Sequence, residues 1–334
     1  MKALLSEAPG GPETLVLAEV PEPQPGPGEV LVAVKACGVN YPDFLIIQDK
    51  YQFRPPRPFA PGAEISGIVE RIGDGVTAVK PGDRVIGSLL AGGMAEKAVV
   101  SAAKCLPVPD SMPFDEASAF ILTYGTSYHA LKNRAALKPG ETLLVLGAAG
   151  GVGIAAVELG KALGARVLAA VSSDEKLAIA QEHGADGGFV YGPAPTSRDE
   201  SKALADAFKA ACGEGGADVI YDPVGGDYAE PALRAIAWEG RYLVVGFPAG
   251  IPRLPLNLTL LKSCQVVGVF WGEFTRRNPA ANAENNRELV ALYASGKIRP
   301  YISGRFPLER GAEAIAQLAS RGATGKLVVT IGEG

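Results

Sequence analysis

The stretch LLVLGAAGGVGIAA, residues 143–156, places four glycines within seven positions between an apolar run and a helical pattern. Glycine has no Cβ, so its backbone can approach a phosphate closely and a helix can pack tightly against the preceding strand. Free N–H groups at the helix start attract an anion. Ala148, Gly150 and Gly153 form an A-x-G-x-x-G pattern, with alanine in place of the fingerprint's first glycine. The pattern predicts a site for a dinucleotide pyrophosphate, and tight helix–strand packing alone is the alternative.

The end of the next apolar run, ARVLAAV, distinguishes the two nicotinamide dinucleotides. An NAD site usually has Asp or Glu at this point to bind the ribose 2′-hydroxyl. This chain has Ser172 and Ser173 there, followed by Lys176. A carboxylate would repel a 2′-phosphate by about 4 kcal/mol per charge pair at about 4 Å and an effective dielectric constant of roughly 20. Two hydroxyls and an ammonium attract it, so the sequence predicts NADPH. Ser173 can also cap a helix.

Residues 119–292 alternate apolar runs with helical patterns. The predicted strands are TLLVLG, ARVLAAV, GGFVY, ADVIYD, RYLVVGF and CQVVGVF. The predicted helices include 151–163, 174–183, 200–211 and 228–237. Apolar strands that alternate with helices of about ten residues are typical of βαβ units on a parallel sheet buried on both faces. This segment is therefore predicted to be a doubly wound α/β domain.

Residues 1–118 contain short β-branched runs separated by Gly, Pro and Asp, which predict a small antiparallel barrel or sandwich. Tight turns are expected at 73–75 and 81–83. The tail carries RFPLERGAEAIAQLAS, predicted as a helix, and GKLVVTI, a strand that needs a sheet to join. We expect this strand to return to the first domain. One domain then comprises 1–118 and 293–334, and the other comprises 119–292.

The composition excludes several classes of protein. A chain of 334 residues favours two domains. Its net charge of −4, without a long run of either sign, argues against nucleic acid or an anionic membrane as a partner. The apolar stretch at the N-terminus is too short for a signal peptide, and no window is long enough for a membrane span. The four widely spaced cysteines, without a CxxC pair, predict free thiols in the cytosol.

Motifs spread along the whole chain resemble those of the zinc-independent quinone oxidoreductases of the medium-chain dehydrogenase/reductase superfamily. They are CGVNYPD (37–43), PGAEISGIVERIG (61–73), GDRV (82–85), LTYGTSYHAL (122–131), GAAGGVG (147–153), DPVGG (222–226) and ATGKLVV (323–329). The resemblance implies an α/β fold with a GroES-like β-rich catalytic domain and a Rossmann cofactor domain. It also implies NADPH-dependent reduction of quinones or related electrophilic carbonyls, and a homodimer formed through the strand near residues 264–270.

The zinc alcohol dehydrogenases of the same superfamily are the competing class. At the matching positions Asn40 replaces a Cys ligand, Ala63 a His ligand and Leu122 a second Cys. Only Glu64 remains, and the four-cysteine structural lobe is missing, so no metal site is predicted. Alcohol oxidation without a metal lacks its Lewis acid. A quinone is already electrophilic and needs mainly to be held against the nicotinamide.

The resemblance also assigns cofactor-binding positions, for each of which ordinary packing is the alternative. The positions at the pyrophosphate are Ala149, Gly150, Gly151 and Val152. Those around the adenosine 2′-phosphate are Ser172, Lys176 and Tyr191. Those near the nicotinamide and its ribose are Asn40, Thr126, Gly246, Phe247, Pro248, Val269, Phe270 and Trp271.

Tyr51 and Asn40 are the candidate catalytic residues. Tyr51 lies eleven residues after Asn40, the spacing at which related enoyl-thioester reductases carry a tyrosine that assists protonation. Such a reductase delivers hydride to the β-carbon and needs a proton donor for the α-carbon. An aromatic wall of a quinone pocket would serve equally well at this position, so Tyr51 does not separate the two activities.

Two other functions therefore remain open. One is reduction of 2-enoyl thioesters or α,β-unsaturated carbonyls. The other is nucleotide binding without useful turnover. The proline-rich loop DKYQFRPPRPFAPG (49–62) is expected at the substrate mouth, where Arg54 or Arg57 could meet an acidic substrate or simply face solvent.

Overall fold

A computed structural model describes residues 1–320 and 322–332 and divides the chain into two units. Unit 1 comprises Met1–Leu122 and Pro300–Gly334, and unit 2 comprises Thr123–Arg299. The boundaries predicted from the sequence, 118/119 and 292/293, lie a few residues earlier. Residues 321, 333 and 334 of the predicted second segment lie outside the described residues.

The first segment of unit 1 is built mainly from strands, as its β-branched runs predict. They are β1 (Lys2–Leu5), β2 (Val16–Glu19), β3 (Glu29–Val39), β4 (Glu64–Ile72), β5 (Arg84–Ser88), β6 (Lys97–Ser101) and β7 (Cys105–Pro107). Two short helices accompany them, α1 (Tyr41–Ile46) and α2 (Phe114–Ser118), with 3-10 turns at Pro12–Thr14 and Ala102–Lys104. Both expected tight turns are confirmed, since Gly75 and Gly82 adopt φ of 77° and 92°.

Unit 2 alternates strands with helices. Its strands are β8 (Thr142–Leu146), β9 (Arg166–Val171), β10 (Gly187–Val190), β11 (Ala217–Asp222), β12 (Ile236–Val244) and β13 (Gln265–Gly268). Its helices are α3 (Ile121–Tyr128, which starts in unit 1), α4 (Gly151–Ala162), α5 (Asp174–Glu182), α6 (Arg198–Cys212), α7 (Ala229–Leu233), α8 (Asn257–Lys262), α9 (Trp271–Arg277) and α10 (Pro279–Ala294). A π-helical turn, His129–Arg134, extends α3, and a 3-10 turn, Gly226–Tyr228, precedes α7.

One predicted helix is wrong at its end. The prediction extends to residue 237, but α7 ends at Leu233 and β12 begins at Ile236. Ile236 pairs with Ala217 in the sheet and is buried. A short apolar run fits a buried helix and a buried strand equally well, so only this pairing settles its conformation.

The sheet of unit 2 is parallel, with strand order β10-β9-β8-β11-β12-β13. Residues 143–146 of β8 are fully buried, as expected for a central strand covered on both faces. Strands β9 and β10 are added on one side of β8, and β12 and β13 are added beyond β11 on the other side. The switch point between β8 and β11 is where open α/β sheets bind ligands, at the carboxyl ends of the strands.

The return segment of unit 1 contains β14 (Ile302–Pro307), α11 (Gly311–Ala319) and β15 (Lys326–Thr330), with a 3-10 turn at Leu308–Arg310. The unit's large sheet has the order β14-β15-β3-β4-β5-β7, with β6 also paired to β3, while β1 pairs with β2. The expected return of the last strand is confirmed, because β15 runs antiparallel to β3. The prediction of a helix from residue 305 is wrong for 305–307, which belong to β14 and alternate between partly buried and exposed.

None of the helices in the described part of the chain combines the length and apolarity that a membrane crossing requires.

Candidate functional site

The glycine-rich turn joins β8 to α4 with almost no space between them. A Cβ on Gly153 would lie 2.2 Å from the carbonyl oxygen of Gly147 and 2.9 Å from Cα of Ala148. Gly150 precedes the first residue of α4 and, among the described residues, has no capping side-chain hydrogen bond. The N–H groups of the first turn therefore remain available to an anion. The turn has the close backbone approach and the unfilled donors that a pyrophosphate needs.

A buried aspartate organises the neighbouring loop. Asp222 ends β11, and its carboxylate accepts hydrogen bonds from the N–H groups of Val224 (2.8 Å) and Gly225 (2.9 Å). It also accepts one from the hydroxyl of Tyr242 at 2.5 Å. Burial raises the pKa of Asp222, and these three donors partly oppose that shift. The fixed loop places Val224 Cγ2 2.9 Å from the Cβ position of Gly147, directly beside the glycine turn.

Of the residues predicted for the 2′-phosphate, Ser172 and Tyr191 directly follow β9 and β10, and Lys176 lies in the first turn of α5. The ammonium of Lys176 donates to the hydroxyl of the exposed Ser172 at 3.0 Å. Ser173 caps α5, since its hydroxyl accepts the N–H of Lys176 at 3.3 Å, so the capping interpretation is confirmed. Burial raises the pKa of Tyr191 to about 12, and a hydrogen bond with the Gly147 backbone opposes that rise. Tyr191 therefore brings its hydroxyl to the glycine turn.

The loop after β12, residues 246–248, packs against the loop after β11. A Cβ on Gly225 would lie 2.7 Å from Cβ of Phe247, and one on Gly226 would lie 2.7 Å from the carbonyl oxygen of Ala249. The Phe247 side chain is 49% exposed. The glycines of the DPVGG motif thus permit this close approach, which carries residues 246–248 to the edge of the sheet that holds the glycine turn.

Val269, Phe270 and Trp271 follow the edge strand β13. The N–H of Val269 donates to a carbonyl of β12 at 3.0 Å, which is an ordinary sheet contact. Phe270 is 62% exposed. The indole of Trp271 lies against Gly125, with ring atoms 2.9 Å from the Cβ position of that glycine, one residue before Thr126. The structure therefore brings Trp271 next to the chain at Thr126.

In unit 1 Asn40 is buried and fully engaged. Its Nδ2 donates to Oε2 of Glu64 and to the carbonyl of Gly38, both at 3.2 Å. Its Oδ1 accepts a hydrogen bond from Nζ of Lys326 at 2.5 Å. Burial raises the pKa of Glu64 and lowers that of Lys326, and the opposite charge of each opposes the shift of the other. Lys326 was absent from the sequence-based site, although a lysine within the apolar run GKLVV is the signal that could have revealed it.

The positions that match zinc ligands do not suit a metal. The Asn40 amide is bonded to an ammonium, and Ala63 and Leu122 carry no side-chain donor atom. Oε1 of Glu64 already accepts the N–H of Leu122 at 2.8 Å. The described residues contain no group of three or more His, Cys, Asp or Glu that could hold a metal ion. A buried ammonium repels a second cation at this position, so these residues do not fit zinc.

Tyr51 packs half-buried against the core of unit 1. Burial raises its pKa, and the negative charge of Asp43 raises it further. Asp43 is buried and accepts the N–H groups of Asn40 (2.8 Å) and Gly62 (3.1 Å). Tyr51 therefore stays protonated near neutral pH, where it can donate a proton but cannot act as a base.

The two arginines of the proline-rich loop (49–62) differ in how many contacts their side chains make. Arg57 donates to a carboxylate oxygen of Asp49 at 2.8 Å and to the carbonyl of Ile47 at 2.9 Å. Its guanidinium also lies over the ring of Phe59, 5.3 Å from the ring centroid. These contacts hold the loop together and do not leave Arg57 available for a substrate, whereas Arg54 is exposed.

Asp43 provides a testable pH dependence. Burial raises its pKa from 3.8 to about 6. The folded protein holds this proton more tightly than the unfolded chain, so the contribution to stability, about 3 kcal/mol, is present below pH about 4 and is lost as the pH rises through about 6. We expect a carbon-13 NMR titration of the Asp43 carboxyl to have its midpoint near pH 6. A midpoint at or below about 4, the ordinary value, would contradict the dominance of burial over the two N–H donors and the charge of Lys326, which lower this pKa.

The chain has a doubly wound unit whose glycine turn leaves N–H groups for a dinucleotide, and a β-rich unit whose described residues lack zinc ligands. These two features define a metal-independent medium-chain dehydrogenase/reductase. The chain matches the family model for the alcohol dehydrogenase GroES-like domain over residues 26–110 and the model for zinc-binding dehydrogenase over 151–286. A quinone oxidoreductase-like protein 2 homolog from Nematostella vectensis is 41% identical over 308 residues, which cover 91% of this chain and 82% of that protein. The chain belongs to the zinc-independent quinone oxidoreductase branch of this superfamily.

Other relatives agree over nearly the whole chain. Human quinone oxidoreductase is 33% identical over 328 residues, which cover 96% of this chain and 95% of that protein. The solved structure of Escherichia coli quinone oxidoreductase complexed with NADPH is 29% identical with a TM-score of 0.89, covering 99% of this chain and 100% of that one. The predicted family and fold class are confirmed, and this relative binds the cofactor that the sequence predicts.

Proposed function

We propose that the protein is an NADPH-dependent oxidoreductase that reduces quinones or related electrophilic carbonyls without a metal ion. The observation that carries this proposal is the buried Lys326 ammonium bonded to Asn40, the position at which zinc relatives have a ligand. An acceptor that is already electrophilic needs no Lewis acid. Similarity to the human protein named quinone oxidoreductase supports the same choice of acceptor.

The cofactor residues divide between three groups. We propose that residues 149–152 contact the pyrophosphate and that Ser172, Lys176 and Tyr191 bind the 2′-phosphate. The remaining proposed contacts, to the nicotinamide end, are Asn40, Thr126, Gly246, Phe247, Pro248, Val269, Phe270 and Trp271. Bound NADPH would supply the hydride. The chain's own part is to fix the phosphates, to exclude water and to hold the acceptor within about 3–3.5 Å of the reacting carbon.

The proton requirement distinguishes the two candidate activities. A quinone that has received a hydride becomes a phenolate, which water or a nearby hydroxyl can protonate. An enoyl thioester needs a proton placed at its α-carbon, and Tyr51 is the candidate donor, with a raised pKa that makes its hydroxyl a weaker acid than that of a free tyrosine. Tyr51 is therefore essential only if the acceptor is an enoyl thioester.

The test combines an acceptor panel with one substitution. We expect the purified protein to oxidise NADPH with benzoquinones and naphthoquinones, and Tyr51→Phe to change that rate by less than about threefold. If crotonyl-CoA is instead the better acceptor, Tyr51→Phe should slow its reduction by about 10²–10⁴-fold, the usual contribution of a general acid. Tyr41→Phe, another partly buried tyrosine of unit 1, is the matched control. NADPH binding without reduction of any acceptor would refute the proposed activity.

We also propose a homodimer formed through β13. This strand ends the sheet order of unit 2, and its Val266 is 40% exposed. Leu256, Leu260 and Leu261 lie just before it in the chain and are 73%, 79% and 62% exposed. An open strand edge beside exposed leucines is typical of a protein–protein interface. A second copy can pair its own β13 with this edge, which covers both surfaces at once.

The two edge strands of the sheet offer a matched test of the dimer. Val266→Lys places a charge on the β13 edge, whereas Val190→Lys places the same charge on the opposite edge strand β10, where Val190 is 39% exposed. In sedimentation experiments we expect the wild type and Val190→Lys to be dimers, and Val266→Lys to dissociate at least about tenfold more readily. A monomeric wild type, or equal effects of the two substitutions, would contradict this interface.

A cytosolic location is proposed from the cysteines. Cys37, Cys105, Cys212 and Cys264 are all free thiols in the described structure. Three of them are buried, and burial raises the pKa of Cys212 to about 11. Unreactive free thiols are usual in a reducing compartment.

A further inference from the structure

Unit 2 contains a cavity of about 570 Å³ at the amino ends of its parallel strands. Glu141 directly precedes β8, Asp218 is the second residue of β11 and Gln265 is the first residue of β13, and all three line the cavity. The glycine turn and the loop after β11 follow the carboxyl ends of their strands, so the cavity lies at the opposite edge of the sheet. Its volume falls within the range of about 300–1,000 Å³ that is usual for small-molecule pockets.

An irregular part of β12 forms one wall of this cavity. Between Ile236 and Arg241 the strand loses its regular register with β11, and residues 237–240 have no partner there. Non-glycine residues with a positive φ are strained, and they concentrate at ligand sites. Three of the four such residues in the described chain line this cavity: Ala136 (48°), Glu239 (58°) and Ser263 (49°). A wall held in this way costs stability, which points to a use other than packing.

The two cations that line the cavity, Arg241 and Lys138, both act on Glu141. The guanidinium of Arg241 donates to Oε1 of Glu141 at 3.0 Å and to Oε2 at 2.6 Å. The N–H of Lys138 donates to Oε2 at 2.9 Å. Burial opposes the ionisation of Glu141, but these hydrogen bonds and the two positive charges outweigh it and lower the pKa of that carboxyl. Glu141 is therefore fully occupied and is not offered to a ligand.

An aromatic ring and two carboxylates remain on the wall. Trp238 is 66% exposed, and its ring has no contact with another ring or cation of the described residues. The exposed carboxylate of the next residue, Glu239, has no hydrogen bond or ion pair in the described structure. Asp218 uses one oxygen for the N–H of Thr142 at 2.7 Å. An indole face beside carboxylate oxygens matches a guanidinium, which is planar, stacks on aromatic rings and donates to a carboxylate through two parallel N–H groups.

We propose that this cavity binds a small organic cation that carries a guanidinium group. The indole of Trp238 covers the face of the guanidinium, and Glu239 accepts its N–H groups. Asp218 adds a second negative charge, so the three carboxylates of the cavity outnumber its two cations. The occupant is a free small molecule, because these groups line a cavity and not a flat surface. Binding requires neither NADPH nor an acceptor, since the cavity lies at the edge of the sheet opposite the glycine turn.

The full-length protein contains its own reporter for this site. The chain has two tryptophans, so a nitrogen-15 NMR spectrum has two indole N–H signals, and Trp238→Phe assigns them. The probe is butylguanidinium, and butylurea is its uncharged analogue of nearly the same shape. We expect butylguanidinium to shift the Trp238 signal saturably, with a Kd of about 1 mM, and to leave the Trp271 signal in place. Butylurea should bind at least about tenfold more weakly, because it lacks the charge.

A matched pair of substitutions tests the role of the carboxylate. Glu239→Gln keeps the shape of the side chain and should weaken butylguanidinium binding at least about fivefold. Glu214→Gln removes the same charge from another exposed glutamate, which precedes β11 outside this cavity, and should bind the probe as the wild type does.

Three results would each overturn the inference. They are a Trp238 signal that does not respond up to about 10 mM butylguanidinium, equal binding of butylurea, and equal effects of the two glutamate substitutions. The readout is binding at the amino edge of the sheet, so it is independent of whether the protein reduces a quinone.

Discussion

Gly153→Ala is expected to weaken NADPH binding at least about hundredfold. The added methyl group would lie 2.2 Å from the carbonyl oxygen of Gly147 and 2.9 Å from Cα of Ala148. Both contacts are with backbone, which cannot rotate away as a flexible side chain can. The start of α4 must therefore move from the turn, and overpacking of this kind costs about 1–3 kcal/mol of stability. Calorimetric titration with NADPH, together with a melting curve, measures both effects.

Two other glycines separate folding from binding. A Cβ on Gly150 would meet only the Gly147 carbonyl oxygen, at 3.4 Å, so Gly150→Ala should keep the melting temperature. It should still reduce NADPH affinity, because the methyl group occupies space that the pyrophosphate approaches. A Cβ on Gly192 has no atom within 4 Å, so Gly192→Ala is the neutral control. If Gly153→Ala bound NADPH like the wild type, the turn would not be the cofactor site.

Ser172→Asp is expected to reverse the preference for NADPH over NADH. The new carboxylate would stand beside Lys176, whose ammonium is 3.0 Å from the Ser172 hydroxyl. It would neutralise that ammonium and repel a 2′-phosphate by up to about 4 kcal/mol before screening. In this exposed position we expect NADPH affinity to fall about hundredfold, while NADH affinity is unchanged or improves because a carboxylate can bind the ribose hydroxyls.

The ratio of kcat/KM for the two cofactors, measured at several salt concentrations, tests this prediction. Salt should reduce the effect of the substitution, since the charges are exposed. Ser295→Asp makes the same change at an exposed serine after α10 and should leave the ratio unchanged. An unaltered ratio in Ser172→Asp would place the 2′-phosphate elsewhere.

The sequence predicted the fold correctly where the residues that determine an element are close together in the chain. The strand, the glycine turn and the helix that form residues 142–162 are contiguous, so their pattern identifies them without knowledge of the rest of the chain. The predictions that failed depend on partners far away in sequence. The end of α7 is decided by the pairing of Ile236 with Ala217, and residues 305–307 are decided by the parallel pairing of β14 with β15.

The same distinction applies to the candidate site. Ser172 and Lys176 are close in sequence, on either side of the residue that caps α5, so their association is local. Lys326 and Asn40 are 286 residues apart, so no local pattern joins them. The sequence left the role of Arg57 open between substrate contact and solvent exposure, because its hydrogen bonds to Asp49 and Ile47 form only in the folded loop.

Hydride transfer from NADPH to an activated acceptor without a metal ion is the activity that we propose for this protein. Its most direct test is the rate of NADPH oxidation by a benzoquinone before and after exhaustive chelation, with metal content determined by mass spectrometry and NADH as the comparison. We expect an unchanged rate without metal and a preference for NADPH of more than about tenfold. A rate that disappears on chelation and returns with one equivalent of zinc, or equal rates with the two cofactors, would contradict it.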